Sequence, residues 1–200
     1  MELKEEDLKE IVPILIPSPD NKMDISTIIN LYDICYGLNK KPMFIQSSIS
    51  GLVFARQEMF RLLKNITKKD RIRGLMIDSD IIIPSKITKA IVEKIYESDK
   101  EQYNFVIPYL TSVGLSIYVK KEDKIEIMDI DSFKVAEKCY TSGLGFYYGD
   151  LPLDYKFNYC NGKGEDINFF IENRIEPNIM HGAEILHNKT MKIGIENQYW

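Results

Sequence analysis

The stretch RIRGLMIDSDIIIP, residues 71–84, carries two carboxylates, Asp78 and Asp80, inside what would otherwise be one long apolar run. IRGLMI at 72–77 is short and mostly apolar, interrupted only by Arg73, and reads as a buried strand. Its carboxyl end is Asp78. Ligands of open α/β sheets gather beyond the carboxyl ends of the strands, so this stretch predicts both a fold class and the place of a site.

On the amino-terminal side, the segments alternate between apolar runs and helical patterns. IVPILIP (11–17) reads as a buried strand, and DISTIINLYDICYGL (24–38) as a helix with apolar residues at 28, 31, 34 and 38. PMFIQS (42–47) is a second strand. LVFARQEMFRLLKNI (52–66) is a helix with a stripe through Leu52, Ala55, Met59, Leu62, Leu63 and Ile66.

On the carboxyl-terminal side, Ser85 stands where an N-cap belongs, and Ile87, Ile91 and Ile95 share one helix face. YNFVIPYL (103–110) reads as a fourth strand. LSIYVKKEDKIEIMDI (115–130) reads as a hairpin about a charged turn at 120–124. SGLGFYYGDLP (142–152) is a further extended run, and GEDINFFIENRI (164–175) a short helix with Ile167, Phe170 and Ile171 at core spacing. The tail offers only short extended pieces or loop. The expectation is an α/β fold: βαβαβ with mostly parallel pairing first, then a smaller, more antiparallel region. No repeat or linker divides the chain, so 1–200 reads as one domain, with halves at about 1–110 and 111–200.

Composition narrows the function classes. With 44% hydrophobic and 28% charged residues over 200 positions, the chain can build a substantial core. A net charge of -4 without a basic cluster argues against nucleic acid as partner. Cys35, Cys139 and Cys160 are odd in number and far apart, so neither a disulfide framework nor a thiolate metal site is indicated. The only apolar run near the start is too short for a secretion signal or membrane span. The expectation is a soluble, cytoplasmic protein, free to form a homo-oligomer.

Asp-x-Asp after a buried strand can do two things. It can simply make a turn, or it can present hard oxygen ligands to Mg2+ or Mn2+, which are commonly shared with substrate phosphates. Apolar walls favour the second reading, because paired carboxylates at the edge of a core repel each other unless a cation joins them. Ser18 and Asp20 in PSPD end the first strand and, from the residues alone, read as a turn. From the residues alone, Arg56 reads as a solvated helix residue, and Gly143 and Gly145 as the mark of a bulge in a strand. Glu165 and Asp166 stand in the first turn of a helix, where carboxylates complement the dipole.

The order of PSPD (17–20), Ala55-Arg56-Gln57, GLMIDSDIIIP (74–84), TSGLGFYYG (141–149), GEDINFF (164–170) and a late histidine resembles GT-A glycosyltransferases, the nucleotide-diphospho-sugar transferases. The resemblance spans roughly 11–190. It implies a Rossmann-like mixed sheet flanked by helices, a Mn2+ or Mg2+ cofactor, a nucleotide-diphospho-sugar donor, and a glycan, glycoprotein or lipid acceptor. Asp80 then resembles the direct metal ligand, and Asp78 the acid facing ribose or metal. Arg56, Ser18 and Asp20 fall where relatives approach the nucleotide, and Gly143 with Gly145 beside the donor sugar. Asp166, or else Glu165, resembles the base of inverting members, and His187, ahead of His181, a residue completing the metal or diphosphate site. The chain departs from many relatives at Gln46-Ser47-Ser48, where they carry an acidic pair, which leaves the donor base open.

Other classes fit less well. A sugar-phosphate nucleotidyltransferase would want glycine after the first strand, and PSPDNKMD has none. A phosphatase would follow Asp-x-Asp with a small hydroxyl residue and glycine, whereas this chain continues Ile81-Ile82-Ile83-Pro84. The rival outside enzymes is a non-catalytic binding or structural protein built on the same fold.

Overall fold

Five strands of the central sheet run one way and a sixth opposes them, which brings the carboxyl ends of the five to a single edge. A computed structural model of the chain describes residues 3–18, 22–112, 114–159 and 164–187. Across the sheet the order is Asn178–Ile179, Phe105–Val106, Phe146–Pro152, Arg71–Ile77, Ile11–Pro17 and Lys41–Ser47. Ile11–Pro17 pairs in parallel with Lys41–Ser47 along its whole length and with Arg71–Ile77 at Ile14 opposite Leu75. Phe146–Pro152 is the opposing strand, antiparallel both to Arg71–Ile77 and to Phe105–Val106. Its first residue, Phe146, lies opposite Ile77, so Gly143 and Gly145 enter at the edge where Asp78 leaves.

Both faces of this sheet are covered, which is why its strands lack apolar-polar alternation. Ile14, Ile16, Leu75, Ile77, Phe146 and Tyr148 point to one face, against helices Ile25–Gly37 and Thr88–Glu101. Leu15, Met76 and Tyr147 point to the other, against Leu52–Thr67 and Glu165–Glu172. Phe60, Tyr147, Phe157, Phe169 and Phe170 meet there in edge-to-face and stacked pairs. A separate antiparallel sheet of Thr141–Ser142, Ile117–Lys121 and Lys124–Ile127 forms the expected hairpin and its extra strand.

The architecture is mixed α/β, a six-stranded mixed sheet flanked by helices, and several local expectations are corrected. The run at 103–110 is not one strand. Its ladder covers Phe105–Val106 and one further bond from Ile107 N to Phe146 O, then stops at Pro108, which has no N–H to donate. Ser85 is not an N-cap: a 3-10 turn, Ser85–Ile87, precedes helix Thr88–Glu101, and the Ser85 hydroxyl donates to Asn30 Oδ1. In Leu52–Thr67 the buried face runs through Ala55, Arg56, Met59, Phe60, Leu63 and Thr67, so Leu62 and Ile66 lie at its margin. In Glu165–Glu172 the buried residues are Glu165, Asn168, Phe169 and Phe170, with Ile167 and Ile171 only half-buried. Two short helices, Glu5–Lys9 and Ile130–Val135, bury none of their residues and left no periodic signal.

Candidate active site

The Asp78-Ser79-Asp80 turn is held from three directions. Asp78 N donates to Gly145 O at 3.2 Å, and Ile81 N returns to Asp78 O at 3.1 Å, closing the turn. The buried Ile81 and Ile83 anchor the segment that leaves it. Thr27 Oγ1 donates to Ile81 O at 3.2 Å and accepts from Ile83 N at 3.1 Å, while Asn30 Nδ2 donates to Ile83 O at 2.6 Å. Helix Ile25–Gly37 therefore supplies the bonds that a buried irregular backbone needs. Strand Leu186–His187 pairs antiparallel with Ile81–Ile82 from the third side. That pairing brings His187 Nε2 within 3.4 Å of Asp80 Oδ2, and the His187 ring packs on Tyr109 at 4.9 Å between centroids.

Asp78 is engaged differently. Arg56, 2% exposed, reaches from helix Leu52–Thr67 to Asp78 Oδ1 at 2.8 Å with Nη2 and to Glu165 Oε1 at 2.5 Å with Nη1. Burial works against the charged guanidinium, but Asp78 and Glu165 outweigh it and hold Arg56 well above its ordinary range. Of the two readings of Arg56, the solvated one is excluded. The guanidinium ties the end of strand Arg71–Ile77 to the start of helix Glu165–Glu172.

The same contact separates the two adjacent acids. Glu165 is buried and ion-paired. Asp166 is half-buried, and among the described residues its carboxylate accepts only the Ile167 N–H, at 2.8 Å. Burial pushes the Asp166 carboxyl up from 3.8 to about 6; Arg56 pulls it back, while the charges of Glu165 and Asp78 add to the rise. Near neutral pH this acid is ionised yet far more basic than an ordinary aspartate, the balance a proton acceptor needs.

Tyr109, which the sequence did not single out, stands between these groups. It is 8% exposed, and a side-chain carbon on Gly143 would lie 2.6 Å from its hydroxyl and 3.5 Å from Asp166 Oδ2. One on Gly145 would lie 2.3 Å from Tyr109 Cε1. The two glycines thus make room for a phenol, and the close approach to their backbone is that of Tyr109. Burial, with Asp78 and Asp166 adding to it, raises the phenol well above its ordinary range, so it remains a proton donor. Its signal lay far away in sequence, in Gly143 and Gly145.

Ser18 follows strand Ile11–Pro17 at the same edge of the sheet. It is fully buried; its N–H donates to Ser47 O at 2.9 Å and its hydroxyl to Lys22 O at 3.0 Å. Asp20 lies outside the described residues, as does Cys160. His181 contacts Ala136 O and packs on Phe133, so His187 is the histidine brought to Asp80. Cys35 and Cys139 are buried free thiols, pushed up to about 11 and about 12 by burial. A hollow of about 210 Å3 lies at the opposite edge of the sheet, beside Ile11, Ile72 and Tyr148, where Arg73, Asp99 and Tyr148 already bond one another. No chemistry is assigned to it.

Among the described residues no group of three or more His, Cys, Asp or Glu side chains is spaced to hold a metal ion. Asp80 and His187 supply two donors side by side. That set fits a divalent ion bound through one or two protein groups and completed by substrate phosphates, though not a closed all-protein site. Among the described residues no helix is long and apolar enough to cross a membrane. No protein-family model matches the chain, and no curated protein matches it.

Proposed function

We propose that the chain is a metal-dependent, inverting glycosyltransferase of the GT-A type, moving a sugar from a nucleotide-diphosphate donor to an acceptor hydroxyl. One observation carries this reading: three distant motifs, Asp78 to Asp80, Glu165-Asp166 and His187, meet at the carboxyl edge of one α/β sheet. The chain's own residues divide the work. Asp166 takes the proton of the acceptor hydroxyl at a carboxylate oxygen, as the hydroxyl oxygen bonds to the anomeric carbon and the bond to the diphosphate breaks on the opposite face. Arg56 fixes the strand end and the helix start relative to each other, holding acid and donor site in one geometry. Asp80 and His187 would hold a divalent cation, Mn2+ or Mg2+. A divalent ion bound there would offset the charge on the leaving diphosphate.

One observation favours the non-catalytic alternative. Asp78 and Glu165 are both satisfied by Arg56, an arrangement that a purely structural ion-pair network would also adopt. A panel of nucleotide sugars incubated with the protein and Mn2+ separates the two. Metal-dependent hydrolysis of at least one donor, abolished in Asp80→Ala, supports the enzyme; no turnover and no binding of any donor contradicts it.

A further inference from the structure

Helix Ile25–Gly37 buries one face in the core and leaves an apolar line on the other. Thr27, Asn30, Leu31, Ile34 and Cys35 face inward. Ile25, Ile29, Tyr32 and Tyr36 face outward, exposed by 73%, 55%, 53% and 87%. Their spacing of four, three and four residues is that of a coiled-coil seam rather than of scattered surface hydrophobics. Tyr96, 52% exposed, widens the line from the neighbouring helix, where its hydroxyl donates to Gly37 O at 3.3 Å. Phe44 supports it from below, 5.4 Å from the Tyr32 ring. The helix carries one charged residue, Asp33, in a chain that is 28% charged.

We propose that this stripe is the interface of a symmetric homodimer, each copy laying it against the same helix of the other. Three observations select a second copy. The surface is a convex ridge with heptad spacing, which packs on another helix of matching spacing, and an identical chain brings one. The helix has no lysine or arginine, which an apolar face docking on anionic lipid would carry beside it, and its single charge is negative. The area is also of the right order. Taking 150–250 Å2 for a fully covered aromatic side chain, the exposed parts of the three tyrosines and two isoleucines come to about 500–700 Å2 per copy, close to the ~800 Å2 per partner of a stable interface. Strand pairing across the adjacent free edge is disfavoured, since Pro42 removes a donor from Lys41–Ser47.

This inference is independent of the catalytic reading. It is tested by sedimentation equilibrium of the full chain from submicromolar to hundreds of micromolar, with two variants: Ile29→Asp with Tyr32→Asp, and Ile29→Lys with Tyr32→Lys. The wild type should pass from monomer to twice that mass, with a midpoint in the micromolar range. Each variant alone should stay monomeric with unchanged circular dichroism and, at submicromolar concentration where the wild type is also monomeric, an unchanged melting temperature; an equimolar mixture should restore the dimer, because opposite charges then meet across the seam. A monomeric wild type throughout, variants that still dimerise, or a mixture that stays monomeric would overturn the proposal. So would co-sedimentation of the wild type with phosphatidylcholine–phosphatidylserine vesicles through this stripe, which would assign the face to a membrane.

Discussion

The Arg56 guanidinium binds Glu165 at 2.5 Å and thereby gives two adjacent acids opposite characters. Glu165 becomes a buried structural anion, and Asp166 is left outside the pair with a raised carboxyl. Breaking a buried pair by removing one partner leaves an uncompensated charge, at about 3–5 kcal/mol. Arg56→Met, which orphans both Asp78 and Glu165, is expected to reach that range in urea unfolding. Glu165→Gln should cost less, about 1–3 kcal/mol, since Arg56 keeps Asp78.

The Asp166 carboxyl should set the acid limb of activity. With its value raised to about 6, kcat/KM rises with pH through about 6 and then levels, and Asp166→Asn removes the activity that carries this limb. Stability has the opposite sign. The folded state holds the proton more tightly than the unfolded chain between 3.8 and about 6, so stability falls as pH rises through that window, and the loss persists above it. Asp166→Asn should therefore melt higher than the wild type at pH 7 to 8 and no higher below pH 3.8, a contrast that thermal melting at several pH values reads directly.

Tyr109 and Gly145 should be coupled. An alanine carbon at 145 would meet Tyr109 Cε1 at 2.3 Å and Cζ at 2.7 Å, so Gly145→Ala forces the ring to move, at about 1–3 kcal/mol. In the Tyr109→Leu background the same substitution should cost clearly less. Equal costs in both backgrounds in a double-mutant cycle would show that the contact is not the source.

The anchoring of the Asp80 turn predicts an effect from the helix beneath it. Thr27→Val keeps the shape but leaves Ile81 O and Ile83 N without their buried partner, costing about 1–3 kcal/mol in denaturant unfolding. Thr27→Ser keeps both bonds and should cost less.

The parts of the fold legible in the sequence are those whose burial shapes local composition. Ile11–Pro17, Lys41–Ser47 and Arg71–Ile77 read as strands because both faces of the sheet are covered, which leaves short apolar stretches such as IVPILIP, PMFI and GLMI bounded by turns. Ile130–Val135 was illegible for the converse reason: Ile130 and Val135 are exposed, and the helix is held by an Asp129 cap accepting from Asp131 and Ser132 N–H groups, a signal hidden beside the stronger hairpin pattern. At the candidate site, the acids were visible as residues and the family resemblance gave them roles, but their side-chain partners were not legible. That Arg56 takes Asp78 and Glu165, leaving Asp80 to His187, depends on contacts between distant segments, and so does the use of Gly143 and Gly145 to seat Tyr109.

In the proposed function, Asp80 and His187 join a divalent ion to a nucleotide diphosphate at this edge. Thermal melting with UDP or GDP, with and without Mn2+, tests it most directly, because a ligand that binds the folded state raises its melting temperature. The expected result is an upward shift that needs both nucleotide and Mn2+, is absent in Asp80→Ala and is reduced in His187→Ala. A shift that ignores the metal or survives Asp80→Ala, or no shift with either nucleotide, would contradict it.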